Sequence, residues 1–143
     1  MHIDGGCHCG HITFEAEVDP SAVSICHCTD CQTLSGTAFR TVVSTKKEDL
    51  KMLSGEPRVY IKTAESGNKR AQAFCSDCGT PLWATTPTDQ QVYGLRVGAI
   101  KERDQLIPKR QVWGRSAQGW LSQLALITRL EKQQYHNLND DVK

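Results

Sequence analysis

Seven cysteines in three tight groups constrain this chain more than any other feature: Cys7 and Cys9 in GGCHCG, Cys26, Cys28 and Cys31 in CHCTDC, and Cys75 and Cys78 in FCSDCGT. An odd number cannot pair off completely as disulfides within one chain. The opening MHIDGGCHCG has neither a basic start nor an apolar run, so it does not read as a secretory signal, and no segment approaches the length of a membrane span. The expected location is cytoplasmic, where reduced thiols serve as metal ligands or reactive groups.

Each group gathers its sulfurs locally. Cys7 and Cys9 point to one face of an extended segment with α-carbons roughly 6.6 Å apart, and a slight bend lets both reach one ion at about 2.3 Å. A tight turn does the same for Cys75 and Cys78, with Gly79 easing the exit. Cys7, Cys9, Cys75 and Cys78 make the complete set of a closed tetrahedral structural zinc, tying the N-terminal segment to the middle of the chain. Cys26, Cys28 and Cys31 then form a set of three with an open fourth position, the arithmetic of a catalytic zinc. Counting alone leaves a second partition open, in which Cys7 and Cys9 join Cys28 and Cys31.

Between the cysteines the chain reads as short strands. HITFEAEV at 11–18 alternates apolar and polar residues with period two and stops at Asp19-Pro20. AVSICHC, AFRTVVST, RVYIKTA, RAQAFC, PLWATT and VYGLRVGAI are similar segments separated by turn formers. The fold class is therefore mainly β. Helical periodicity is convincing only after Gly119, where Trp120, Leu121, Leu124 and Ala125 share a face, which gives a short C-terminal helix. EDLKMLSG fits a helical turn or a strand, and the tail NLNDDVK is expected to fray. No repeat or linker interrupts residues 1–143, a length suited to a single zinc-binding domain. Seventeen basic against sixteen acidic side chains leave a net charge of +1, so nothing draws the whole chain to nucleic acid or to an anionic membrane.

GGCHCG, CHCTDC, FCSDCGT and the closing VGAIKERDQLIPKRQVWGRSAQGW, in that order, resemble the glutathione-dependent formaldehyde-activating enzyme family, which also includes centromere protein V, a chromatin-associated relative. The resemblance runs from about Gly5 to about Ala125, leaving a tail at 126–143. It implies a β-tent fold, small antiparallel sheets stapled by a structural zinc on Cys7, Cys9, Cys75 and Cys78. It also implies a catalytic zinc on Cys26, Cys28 and Cys31, hence two zincs per chain. The implied activity is that of a carbon–sulfur lyase with glutathione as co-substrate, joining its thiol to formaldehyde as S-hydroxymethylglutathione or releasing it in reverse.

A thiol substrate with two carboxylates calls for cations or backbone donors near the metal. Arg40, Arg96, Lys109, Arg110 and Arg115 are candidates, each also readable as an ordinary solvated charge. His8 and His27 lie between ligands and point away from their sulfurs in extended chain. His2, His11 and His136 have no partner spacing and read as plain surface or core histidines. Asp30 and Asp77 sit in the cysteine turns, where aspartate bonds local backbone. Trp83, Trp113 and Trp120 are expected in the core rather than as ligand platforms. Ser35-Gly36-Thr37 lines a small pocket or forms a plain turn.

The leading function is thus a zinc-dependent lyase acting on a small-molecule thiol or its adduct. The alternatives are a non-catalytic zinc module for protein or nucleic-acid binding, with nucleic acid disfavoured by the near-neutral charge, and a redox sensor built on Cys26, Cys28 and Cys31.

Overall fold

The computed structural model describes residues 1–133. The alternating stretches become strands: β1 (His2–Gly6), β2 (Thr13–Glu17), β3 (Val23–Cys26), β4 (Arg40–Lys46), β5 (Leu50–Ser54), β6 (Arg58–Thr63), β7 (Lys69–Phe74), β8 (Pro81–Thr85), β9 (Val92–Arg96) and β10 (Arg110–Val112). They form a three-stranded sheet ordered β1-β2-β5 and a seven-stranded sheet ordered β10-β3-β4-β9-β8-β7-β6. The expectation of a mainly β protein holds. Every pairing is antiparallel except β10 with β3, which is parallel and returns the distant segment 110–112 to the edge beside Cys26.

Period two decides which side chains are buried. In β1 Ile3 and in β2 Phe14 and Ala16 face inward, while Glu15 and Glu17 alternate with them. Val43, Leu82, Trp83 and Leu95 face them from the larger sheet. Phe14 meets Trp83 edge-on with ring centroids 5.5 Å apart, so this aromatic pair joins the sheets. A fully buried Phe14 contributes about 1.5–3 kcal/mol through the apolar area it removes from water. Gly5 is required beneath it, because a Cβ there would collide with the Phe14 ring.

EDLKMLSG resolves into a 3₁₀ turn at Lys47–Asp49 followed by β5. The short C-terminal helix is present at Gly119–Leu126 but is wound as 3₁₀, and Trp120 and Leu124 on it are exposed. The sequence reading assigns no helix to TDCQTLS, yet Thr29–Ser35 forms α1. Its start is capped by the Cys28 side chain, which accepts from the Cys31 amide at 3.3 Å, and its end by Gly36 at φ 69°, a conformation glycine adopts freely. NLNDDVK and His136 fall outside the described residues.

Candidate metal centres

Two turns build the four-sulfur set. In the β1–β2 turn the Cys7 amide donates to the Ile12 carbonyl at 3.0 Å and the Gly10 amide to the Cys7 carbonyl at 3.1 Å. In the β7–β8 turn the Cys75 amide donates to the Thr80 carbonyl at 3.0 Å and the Gly79 amide to the Cys75 carbonyl at 2.8 Å. The His8 amide also donates to the Thr80 hydroxyl at 3.0 Å, locking one turn to the other. All four sulfurs lie within 4.8 Å of one another. Cys7 Sγ is 3.6 Å from Cys9 Sγ, and Cys9 Sγ is 3.8 Å from Cys75 Sγ. A tetrahedral ion with 2.3 Å metal–sulfur bonds requires sulfur separations of about 3.8 Å, so the donor set fits zinc. The Ile12 amide donates to Cys7 Sγ at 3.2 Å, a bond suited to a thiolate.

The second set straddles the end of β3 and the start of α1. Cys26 ends the strand, Cys28 caps the helix, and Cys31 lies on its first turn. Their sulfurs also lie within 4.8 Å of one another, with no fourth cysteine, histidine or carboxylate in the group among the described residues. All three are partly exposed. The sequence thus groups the thiols as four and three, and the alternative of Cys7 and Cys9 with Cys28 and Cys31 is not the arrangement found.

Crowded thiols oppose one another's ionisation. The Cys31 hydrogen bond pushes Cys26 down to about 5, and that same bond pushes Cys31 up. In the other set the Thr80 hydroxyl pulls Cys78 down to about 5. The His11 amide acts to lower Cys9, but Cys7, burial and Cys78 outweigh it and push the thiol up to about 12. A divalent cation is what lets such thiols ionise together.

His27 is 2% exposed, with Nε2 2.6 Å from Gln111 Oε1 on β10. Facing away from the sulfurs was the expectation, but its partner Gln111 was invisible in the sequence, as was Gln32. Gln32 Nε2 donates to the His27 carbonyl at 2.8 Å and to the Ser116 carbonyl at 3.0 Å, pinning α1 to the loop after β10. Three expectations need correction. Trp113 and Trp120 are not core, being 43% and 46% exposed, because Trp113 follows the edge strand β10 and Trp120 lies on the 3₁₀ segment outside both sheets; only Trp83 is buried. Asp30 bonds no local backbone but pairs with Lys62 across the cleft at 3.0 Å. Arg40 and Arg96 are not solvated charges but 5% and 9% exposed, whereas Lys109, Arg110 and Arg115 are surface groups.

A cleft of about 370 Å³ opens beside the trio, lined by Cys28, Asp30, Lys62, Glu65, Trp113 and Ser116. Trp113 stands at its wall with φ 56°, a left-handed conformation that costs a bulky residue roughly 1 kcal/mol or more. Arg115 stacks 4.9 Å above the indole and reaches both Glu65 oxygens at 2.9 Å. A larger cavity, about 750 Å³, lies beside Cys7 and His8 instead. Size does not make it the reactive cleft, since four sulfurs already saturate a tetrahedral ion.

The family profile described as glutathione-dependent formaldehyde-activating enzyme matches residues 2–116. A Halomonas elongata protein bearing the provisional name of glutathione-dependent formaldehyde-activating enzyme is 26% identical over 91 residues, covering 61% of this chain. The match spans 58% of that relative's own length. The crystal structure of a Rhodobacter sphaeroides protein superposes with a TM-score of 0.58 at 20% identity, covering 78% of this chain and 100% of that one, a likeness of fold.

Proposed function

This chain belongs to the glutathione-dependent formaldehyde-activating enzyme family, and on that premise we propose that it is a zinc-dependent carbon–sulfur lyase. It joins the thiol of glutathione or a related compound to an aldehyde, with S-hydroxymethylglutathione formation from formaldehyde as the family-typical case. The observation that carries this reading is the uneven supply of sulfur, four donors converging in one set and three in the other beside an open cleft. On this reading Cys7, Cys9, Cys75 and Cys78 hold a structural zinc, Cys26, Cys28 and Cys31 hold a catalytic one, and both belong to one domain.

Zinc on three thiolates would offer one further position that accepts a substrate thiol and keeps it deprotonated at neutral pH. The chain supplies the rest. Cys26, Cys28 and Cys31 project from a strand end and a helix turn, rigid supports that fix where the reacting sulfur sits. Trp113 and Ser116 form part of the cleft wall. As the sulfur bonds to the aldehyde carbon, the carbonyl π electrons move to oxygen. Lys62, held by Asp30 at 3.0 Å, delivers the proton that turns that oxygen into the hydroxyl, and is reprotonated from solvent. In reverse Lys62 takes the hydroxyl proton as the carbon–sulfur bond breaks.

No helix among the described residues is long and apolar enough to cross a membrane. The reduced thiols that this chemistry needs suit a cytoplasmic setting. The test is ¹³C exchange NMR of formaldehyde with glutathione. Zinc-loaded protein should speed exchange between the formaldehyde hydrate and the S-hydroxymethyl carbon, and Cys31→Ser should not. A non-catalytic zinc module would bind the metal and leave the exchange rate at its spontaneous value.

A further inference from the structure

Arg40 and Arg96 form a buried pair whose charge no carboxylate among the described residues balances. Arg40 ends up inside because it opens β4 directly opposite Cys26 in the antiparallel register, and Arg96 because it closes the neighbouring strand β9. Both reach the same neutral acceptor: Arg40 Nη1 donates to Gln72 Oε1 at 3.2 Å and Arg96 Nη2 to that same oxygen at 2.5 Å. The Arg96 Nε is buried with no partner among the described residues. The ion pairs among those residues all involve other groups, so neither guanidinium meets a carboxylate. Burial acts to lower the pKa of both groups, and each is also within electrostatic reach of the other or of the trio. Placing two guanidiniums side by side in a desolvated region is unfavourable unless an anion joins them.

Both arginines line a cavity of about 450 Å³ together with Ser35, Thr37, Thr41 and Thr80. This volume falls in the range of small-molecule sites, and its lining combines hydroxyl-bearing residues and both arginines with the apolar Phe39, Pro81 and Ala99. Ser35 lies four positions after Cys31 on α1, hence on the same helix face, which sets the cavity beside the trio rather than across the molecule. The sulfurs of the trio are the other candidate counter-charge. Three thiolates on a divalent ion carry a net charge near −1, which leaves one positive charge of the two unmatched. An arginine fork is matched best by a planar two-oxygen anion.

We propose that this cavity binds a carboxylate of the thiol substrate, with Arg40 and Arg96 supplying charge and geometry and Gln72 holding the two guanidiniums together. The assignment rests on the lyase reading for the identity of the substrate, and it selects thiols that carry a carboxylate over neutral ones. Arg40 and Arg96 would act as specificity-determining residues.

The test uses zinc-loaded protein and S-methylglutathione, which keeps both carboxylates but cannot offer a thiolate. Calorimetric titration should show binding that weakens at least about tenfold for the dimethyl ester. Arg40→Lys, which keeps the charge but not the fork, should weaken S-methylglutathione binding and leave the ester unaffected. Absence of binding, or equal binding of acid and ester to the unmodified protein, overturns the proposal without any variant having to fold. A separate titration of cobalt-loaded protein with 2-mercaptoethanol, followed by sulfur-to-cobalt absorption, reports the open metal position alone. If that signal appears while the ester binds as well as the acid, the lyase reading stands and the carboxylate site falls. If it is absent while S-methylglutathione still prefers its carboxylates, the carboxylate site stands and the thiol-binding metal falls.

Discussion

Cys9 Sγ lies 3.8 Å from Cys75 Sγ although 66 positions separate the two residues. One belongs to the turn between β1 and β2 and the other to the turn between β7 and β8, so the contact joins the smaller sheet to the larger one. The Phe14–Trp83 pair makes the same connection through the core. The two links differ in chemistry, one made by sulfurs placed to hold a cation and the other by excluded water.

Removing the first link should leave the second too weak alone. Cys75→Ser, or exhaustive chelation, is expected to cost on the order of 4 kcal/mol or more. Thermal melting followed by circular dichroism, with zinc measured on the same sample, checks this. A midpoint unchanged in metal-free protein would show that the four sulfurs do not staple the sheets.

The trio should behave differently. Cys28→Ser is expected to lower bound zinc from about two per chain to about one and to abolish thiol chemistry while leaving a folded protein. Elemental analysis beside a melting curve separates the two effects. Loss of folding would mean that Cys26, Cys28 and Cys31 are structural.

Gly5→Ala should destabilise the protein by about 1–3 kcal/mol, since the added methyl enters the space of the Phe14 ring. Phe14→Leu has its own cost, but the double variant should cost less than the two single costs added together. Denaturant titration of the four proteins gives the coupling energy. Strict additivity would show that the ring is not what excludes the side chain.

Trp113→Asn keeps a residue that tolerates the left-handed conformation at φ 56° and deletes the indole wall of the cleft. The expected result is a stability change under about 1 kcal/mol with several-fold weaker thiol binding. Kinetics should show the change in KM rather than in kcat.

His2 should titrate above 6.5, chiefly through its hydrogen bond with Glu17 and also through Asp4. Because folding raises this pKa, the contribution to stability is complete below the unfolded value and is lost as pH rises through the folded one. An NMR titration of the His2 ring should show the raised midpoint, moving back toward 6.5 in Glu17→Gln.

The parts of this fold legible in the sequence are those encoded by neighbours. The alternation in TFEAE dictates which face of β2 is buried, and CSDC gathers its sulfurs within a single turn, whereas Cys7 and Cys9, expected in an extended segment, meet in the turn between β1 and β2. What escaped was set by distant partners. Nothing around Gln111 announces that β10 will lie parallel to β3 and place it against His27. Arginine favours the surface on average, so the burial of Arg40 and Arg96 follows only from the strand order β3-β4-β9. The helix α1 was hidden because it is seven residues long and is capped by a thiol, a group outside the usual capping set. Trp113 and Trp120 carry the apolar character of core residues, yet both lie outside the sheets and stay largely exposed.

The four-sulfur set draws half its donors from each end of a span running from Cys7 to Cys78. A nascent chain therefore exposes five thiols, Cys7 through Cys31, before Cys75 and Cys78 leave the ribosome. Until β8 is made and pairs with β7, Cys7 and Cys9 lack the two sulfurs that complete their set.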